Sequence, residues 1–549
     1  MPNMVLIKVN LLIKWIHNLT LLIYVLELQN KNLFFFAFNP FFRALHAIMH
    51  IMTYLEQRST VYKSEFWHHP IAVRSIISIE AWERFSFYGM QAILGYYLYY
   101  TATNGGLGLA KSEATALIGA YGALVYLCTF AGGWIGDRVL GAEKTLFLGA
   151  SLLVIGHLIL SLIHPIPGLA AGLTLIALGS GFLKTAAITV LGTVYREDSH
   201  SDAHRETGFQ FFYLGIQVAA VAGPLLTGWL ALTYSFDVGF LAAALLMIIG
   251  MGIYASLRRR ALEEMGEESR KCVQSPTHPI SKKTSLTITA LGISALVLVV
   301  LAVTLGILTA ASLAHFLLGI TITAAVFLMV TMFRSPHTTQ QERHSILNYI
   351  PIFCASVAFW AIMNQTYGVL AVYSDVRLNR SIAGFEFPAA WTQSLNPIFV
   401  LTLSIPLAYL WAKLGSRGPT AATKISIGVI VGGSGFLVLI PFAGGGPNST
   451  PLLVLALSIL ITAIGELFAG PIGMAATAKH APNAYRTQFS ALYFLTMSIG
   501  TALAGSISSY YDSESASAER TYFLVCGSLA ICIGVCTWVA AQKLSKITS

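Results

Sequence analysis
Charge is what this sequence has least of. Only 10% of its 549 residues are Asp, Glu, Lys or Arg, where a soluble globular chain carries roughly 25%. With 56% of the residues hydrophobic, a soluble fold of this length is excluded. Cysteine is sparse too. Cys128, Cys354, Cys526, Cys532 and Cys536 lie in apolar segments and Cys272 in a polar loop. No pair has metal-ligand spacing with a histidine nearby, so they read as packing residues, and no metal or other cofactor is expected. Enzyme signatures are missing: there is no H-E-x-x-H, no G-x-S-x-G and no paired aspartates, so the chain is not read as an enzyme. No ligand-binding or signalling domain stands outside the apolar segments, which disfavours a receptor.

What the chain has is a succession of long apolar runs, each about 20 residues and long enough to cross a bilayer. A transmembrane barrel would show shorter alternating segments instead. The spans fall at roughly 72–100, 113–136, 144–164, 168–194, 207–233 and 238–257, then 285–306 and 310–333, then 346–374, 390–413, 420–442, 451–478, 487–510 and 520–542. The fold class is therefore all-α: a polytopic membrane protein of two six-helix bundles with two extra, peripheral helices between the halves. The divisions are residues 65–257, a linker at 258–284, the extra pair at 285–334 and a second bundle at 335–549. Residues 1–64 form an atypical extension. The preferred reading of its first 51 residues is an upstream extension of the reading frame, with Met52 as the true start. An extra membrane helix or a targeting segment is the alternative, although no clean signal-peptide pattern is present.

The net charge is +9, and its placement orients the chain. Arg138 and Lys144, Arg196 and Arg205, Arg258 through Lys283, Lys413, Arg417 and Lys424, Lys479 and Arg486, and the tail Lys543 and Lys546 all fall on one side. The positive-inside rule makes that side cytoplasmic, with both ends of the core there and the plasma membrane as the location. It also explains the surplus better than nucleic-acid binding does.

Charges inside spans are costly and tend to face a cavity. Glu80, Glu83 and Arg84 stand at i, i+3 and i+4 and share one helix face, to which Gln91 returns, flanked by Phe87 and Tyr88. The stripe holds two carboxylates that can carry a proton and a guanidinium that cannot lose one. A structural ion pair joining two helices is the other reading. Lys184 and Glu466 are lone charges in apolar helices of opposite halves. As opposite poles of one cavity they suit a ligand with a carboxylate at one end and an ammonium at the other.

At these residues a resemblance emerges. "EAWERFSFYGM" resembles the E-x-x-E-R-F-x-Y-Y-G signature of the proton-dependent oligopeptide transporter family, bacterial di-/tripeptide permease type, within the major facilitator superfamily. "GGWIGDRVLGAEKT", "FQFFYLGIQVAAVAGPLL", "WTQSLNPIFV" and "GELFAGPIGMAA" resemble further family stretches, over residues 65–543 in all. The resemblance implies a major facilitator fold and a proton-coupled symporter importing di- and tripeptides by alternating access. Another small solute, such as a peptide-like drug, an amino-acid derivative, a sugar or nitrate, is the alternative cargo. It implies proton coupling at Glu80, Glu83, Arg84, Lys184 and Glu466. It implies substrate contacts at Arg84, Tyr88, Gln91, Tyr126, Lys184, Gln217, Trp360, Asn364, Asn396 and Glu466. In that scheme Lys184 pairs with the charged cluster or with the peptide carboxylate, Asn396 and Glu466 hold the amino group, and Trp360 walls a side-chain pocket. The expected partners are small peptides, protons and lipid, with the monomer as the working unit.

The sequence also departs from the family pattern. Gln91 stands where arginine is frequent, Phe87 where the first tyrosine of a pair is frequent, and Gln217 where asparagine closes F-Y-x-x-I-N. Thr185 and Ala186 replace Pro and Asn, and Tyr493 replaces tryptophan. Asn364 takes the place of a glutamate and cannot titrate. Gly119 excludes the histidine that animal members carry there. These changes leave the Glu80–Glu83–Arg84 cluster as the best proton acceptor, with Glu466 second.

Overall fold
A computed structural model describes residues 69–163, 166–195, 202–277, 279–307, 309–382, 384–414 and 418–548. The N-terminal extension with its expected start at Met52 lies outside the described residues, as do Arg196 and Arg417. The described chain falls into two units. One is the hairpin 380–387, in which β1 (Ser381–Ile382) pairs antiparallel with β2 (Phe385–Glu386) and Arg380 meets Glu386 at 3.0 Å. The other, 69–379 with 388–548, is helical and carries everything below.

Its first bundle is α1 (Ile71–Tyr99), α2 (Lys111–Ile135), α3 (Ala142–Leu162), α4 (Ile166–Val194), α5 (Asp202–Thr233) and α6 (Phe236–Glu264). A short α7 (Glu267–Gln274) and the long α8 (Lys282–Thr304) and α9 (Ala310–Arg334) follow. The second bundle is α10 (Gln340–Met363) with α11 (Val369–Val376), then α12 (Leu395–Leu414), α13 (Ala421–Leu437), α14 (Leu452–His480), α15 (Arg486–Ser508) and α16 (Ala516–Thr548). Twelve helical stretches among the described residues are long and apolar enough to cross a membrane. α1 is 29 residues long, or about 44 Å at 1.5 Å per residue. It differs from those twelve in the charge of Arg74, Glu80, Glu83 and Arg84.

Within the first bundle α3 packs on α4, and α1 on α5 and α6. Glycine permits a close crossing of α3 and α4: a Cβ on Gly179 would meet the Gly149 carbonyl oxygen at 2.6 Å, a backbone approach of the kind small residues allow between membrane helices. In the second bundle α13 packs on α14 and α16, and α10 on α15 and α14. α9 lies along α2 and α15, one helix from each bundle, with Ala314 and Leu317 against Ala120, Ala123 and Ala502. α8 packs on α4 and leaves Leu291, Val297 and Leu298 exposed.

Two local features differ from the expected spans. α6 runs on to Glu264, and the polar linker that follows folds α7. Both are held at Glu143, which is buried and accepts from Arg258 (Nε, and Nη2 at 3.1 Å) and from Gln274 at 3.4 Å. The span expected at 346–374 is not one helix. α10 begins in a capping box between Thr339 and Glu342. It ends at a 3₁₀ turn, Asn364–Thr366, and Gly368 (φ −103°, ψ −98°) turns the chain into α11.

Among the described residues, most hydrogen bonds that join the bundles gather toward the end that carries the α1–α2 loop, α11 and the α15–α16 loop, while Ser498 of α15 donates to Ala123 O midway along α2 at 2.8 Å. Tyr96 donates to Ala371 O, Tyr99 and Tyr100 to Asp375, and Lys111 to Ser513 Oγ. Gln393, Ser394 and Trp391 donate to carbonyls of α1 and α5. At the opposite end Glu143 bonds within the first bundle and its linker, and Glu342 bonds Asn483 within the second.

Candidate functional site
The 3.6-residue repeat brings Glu80, Glu83 and Arg84 onto one face of α1, and the fold buries all three to 1%, 0% and 4% exposure. Such burial demands pairing. Arg84 Nε lies 3.1 Å from Glu80 Oε1 and 2.6 Å from Glu83 Oε2. Ser180 of α4 donates to Glu83 Oε1 at 2.7 Å, and Arg84 Nη2 reaches Ser180 Oγ at 3.5 Å. The guanidinium also sits 5.3 Å from the Phe87 ring. Glu80 Oε2 is buried with no hydrogen-bond partner among the described residues. One positive charge thus faces two carboxylates, and the cluster as a whole can accept a proton.

Lys184, one turn beyond Ser180 on α4, does not join the ion pair with Glu80 or Glu83, which Arg84 occupies. Its Nζ lies over two rings, Tyr126 of α2 at 5.1 Å and Phe494 of α15 at 5.8 Å. Those rings come from opposite bundles, so the ammonium stands between the halves in a cation–π setting. Among the described residues it makes no ion pair within 4 Å, although Glu80 and Glu83 are near enough to act on its charge.

In the second bundle Asn396 of α12 donates through Nδ2 to Glu466 Oε2 of α14 at 2.8 Å. Asn396 Oδ1 is buried without a partner among the described residues. Tyr88 meets the Phe87 ring edge-on at 5.5 Å, beside the charged cluster of α1, and Tyr126 lies under the Lys184 ammonium.

The remaining expected residues are distributed around this centre. Trp360 meets Tyr493 edge-on at 6.5 Å, and Tyr493 donates to Gly470 O. Gln217 donates to the Tyr213 hydroxyl at 2.8 Å, and Gln91 is buried. Asn364 spends its amide locally: Nδ2 donates to Trp360 O at 2.8 Å and closes the last turn of α10 where the helix breaks. Gly119 faces Gly505 of α15 so closely that a Cβ would stand 2.3 Å from its Cα, which leaves no room for a side chain.

Sequence reasoning passed over Ser180 and Phe494. Ser180 had a signal, since it precedes Lys184 by four residues on the same helix face. It also passed over His157 of α3, fully buried with Nε2 2.9 Å from Ser86 Oγ. Ser86 in turn donates to Ala243 O at 2.8 Å, so the imidazole N–H is the donor to Ser86. This chain of bonds pins the charged helix between α3 and α6.

Comparison with known proteins bears on the family and the fold. A family model described as the POT family matches residues 143–524. The uncharacterized transporter YclF of Bacillus subtilis is 36% identical over 473 residues, covering 85% of this chain and 93% of its own. The di-/tripeptide transporter of Lactococcus lactis subsp. cremoris is 34% identical over 503 residues, 88% of this chain and 97% of its own. A crystal structure of a peptide transporter, POT, in complex with sulfate superposes with a TM-score of 0.80 at 34% identity, over 88% of this chain and 96% of that one. The chain belongs to the POT family and is a multi-pass membrane transporter with the major facilitator fold.

Proposed function
We propose that this protein is a proton-coupled symporter that imports di- and tripeptides by alternating access. The observation that carries the reading is the pair of opposed poles. The Lys184 ammonium belongs to α4 of the first bundle and lies over the Tyr126 and Phe494 rings, and the Asn396–Glu466 pair belongs to α12 and α14 of the second. A peptide zwitterion fits that polarity, and a simple anion such as nitrate does not. Relatives named as di-/tripeptide and peptide transporters support the same substrate class.

Lys184 takes the peptide carboxylate, with Arg84 nearby. Glu466 and Asn396 Oδ1 take the amino group. Tyr88, Tyr126, Gln91, Gln217, Trp360 and Asn364 supply adaptable walls. Glu80 or Glu83 accepts a proton when the site faces the acidic side, which loosens the pairing with Arg84 and frees positive charge for the substrate. Loss of the proton on the alkaline side restores the ion pair and releases the peptide. Coupling of this kind requires that proton and peptide each bind one state better than the other. The basic loops support a reading with both ends of the core in the cytoplasm, the plasma membrane as the location and the monomer as the working unit.

Uptake of labelled dialanine into proteoliposomes, with and without an inward proton gradient, tests this. Gradient-driven accumulation, competed by a tripeptide but not by free alanine, is expected. Absence of uptake for any peptide would overturn the substrate class, and exchange without accumulation would overturn the coupling.

A further inference from the structure
The closed end of the helical body is held by two kinds of bond, one on Asp375 in the last turn of α11 and one on Arg377 just beyond it. Tyr99 donates to Asp375 Oδ2 at 2.8 Å and Tyr100 to Oδ1 at 2.9 Å, both from the last turn of α1 or the residue beyond it. Asp375 thus ties α11 to the first bundle through both oxygens. Arg377, two residues later, faces the second bundle. Its Nε lies 3.3 Å from Glu519 Oε2, and it also donates to the carbonyls of Gly445 and Ser513. Glu519 further accepts from Tyr511 OH at 2.6 Å and from the Gly444 N–H.

These two attachments differ in what breaking them costs. Arg377 and Glu519 are 8% and 0% exposed, and separating a buried pair strands both charges. Asp375, Tyr99 and Tyr100 are half-buried, so water can replace each bond as it opens. The other bundle-to-bundle hydrogen bonds at this end run to neutral oxygens, as with Gln393 to Ala92 O, Ser394 to Val221 O and Lys111 to Ser513 Oγ. Among these bonds Asp375 supplies the one carboxylate, and hydrogen bonds to a charged acceptor are the stronger kind. The break at Asn364–Gly368 separates α11 from the axis of α10, so α11 is a short lever.

We propose that Asp375 is the release point of this gate: α11 stays fixed to the second bundle through Arg377 and Glu519, and the closed end opens where Tyr99 and Tyr100 leave Asp375. The idea rests on the alternating-access reading above and names the plane along which the halves part.

Hydrogen–deuterium exchange of the full-length protein in nanodiscs reads the gate without any transport. Two variants are compared with wild type: Asp375→Asn, and the double variant Tyr99→Phe with Tyr100→Phe, which removes two hydroxyls and keeps the rings. Amides in 96–109 and 369–379 are expected to exchange about tenfold faster in both, with α4 unchanged and gradient-driven uptake reduced. Wild-type rates in both segments of the double variant would overturn the proposal. A chain-wide rise in Asp375→Asn would signal loss of fold, and the double variant then decides alone. If wild type moves no peptide, the transport reading fails while the exchange result still judges the gate.

Discussion
The Asn396 amide donates to Glu466 across α12 and α14, and its own carbonyl oxygen is buried with no hydrogen-bond partner among the described residues. The donor side of the amide orients the carboxylate, and the amide oxygen remains an acceptor beside it. That arrangement suits a ligand with several N–H donors, which an ammonium has.

Removing either residue therefore acts on one end of the substrate. Glu466→Gln and Asn396→Ala are each expected to weaken dialanine binding by about 10- to 100-fold, the loss of one charge-assisted hydrogen bond. Competition by an N-acetylated dipeptide, which lacks the ammonium, should be little changed. Equal losses for both ligands would show that the pair does not read the amino group.

Lys184 gives the mirror-image expectation. Its ammonium rests on the Tyr126 and Phe494 rings rather than on a carboxylate. Lys184→Gln should raise the KM for dialanine by at least about tenfold, the scale of one lost charge-assisted bond. Dialanine amide should compete equally well against variant and wild type.

The Glu80–Glu83–Arg84 cluster should couple rather than merely bind. Glu80→Gln or Glu83→Gln is expected to permit peptide exchange across proteoliposomes and to abolish accumulation driven by a proton gradient. Normal concentrative uptake by both variants would remove the cluster from the coupling.

Gly119 and Gly505 meet where α2 crosses α15. Gly119→Val should hold the bundles apart there. Uptake is expected to fall at least tenfold, on the scale of the 1–3 kcal/mol that overpacking costs, while the protein still elutes as a monodisperse peak on size exclusion. Wild-type uptake would mean that the crossing opens without effect on the cycle.

Glu519→Ala leaves Arg377 buried without its carboxylate. A loss of about 3–5 kcal/mol in stability follows from breaking a buried pair on one side, read as a lowered melting temperature in detergent. The same change at Glu386, whose side chain is largely exposed, should be almost silent.

The parts legible in the sequence were those that physics confines to short range. Span lengths follow from bilayer thickness, and the charged stripe follows from i, i+3 and i+4 spacing on α1. Lys184 and Glu466 stood out because a lone charge in an apolar helix is rare. Ser180 did not, because serine is common in such helices and only α1 lying alongside makes it a donor to Glu83. The continuation of α6 and the fold of α7 were hidden in a polar linker, where the signal is Glu143, more than 100 residues away. The Tyr99–Asp375 contact bridges 276 residues, and no periodicity carries that far. Asn364 was legible as a missing titratable group, but its bond to Trp360 O became visible only with the helix break.

α9 has a consequence for leakage. Bundles that rock against each other open a seam along their flanks, where lipid tails can wedge in and a solute can slip out sideways. On the flank formed by α2 and α15, α9 covers that seam, with Phe316 and Phe327 turned outward and Ala314 turned inward. The centre of the inner surface it meets is Ala120, Ala123 and Ala502, short side chains, with Leu124 and Leu127 of α2 packed around them. A gasket of this kind keeps its seal while the surfaces beneath it slide.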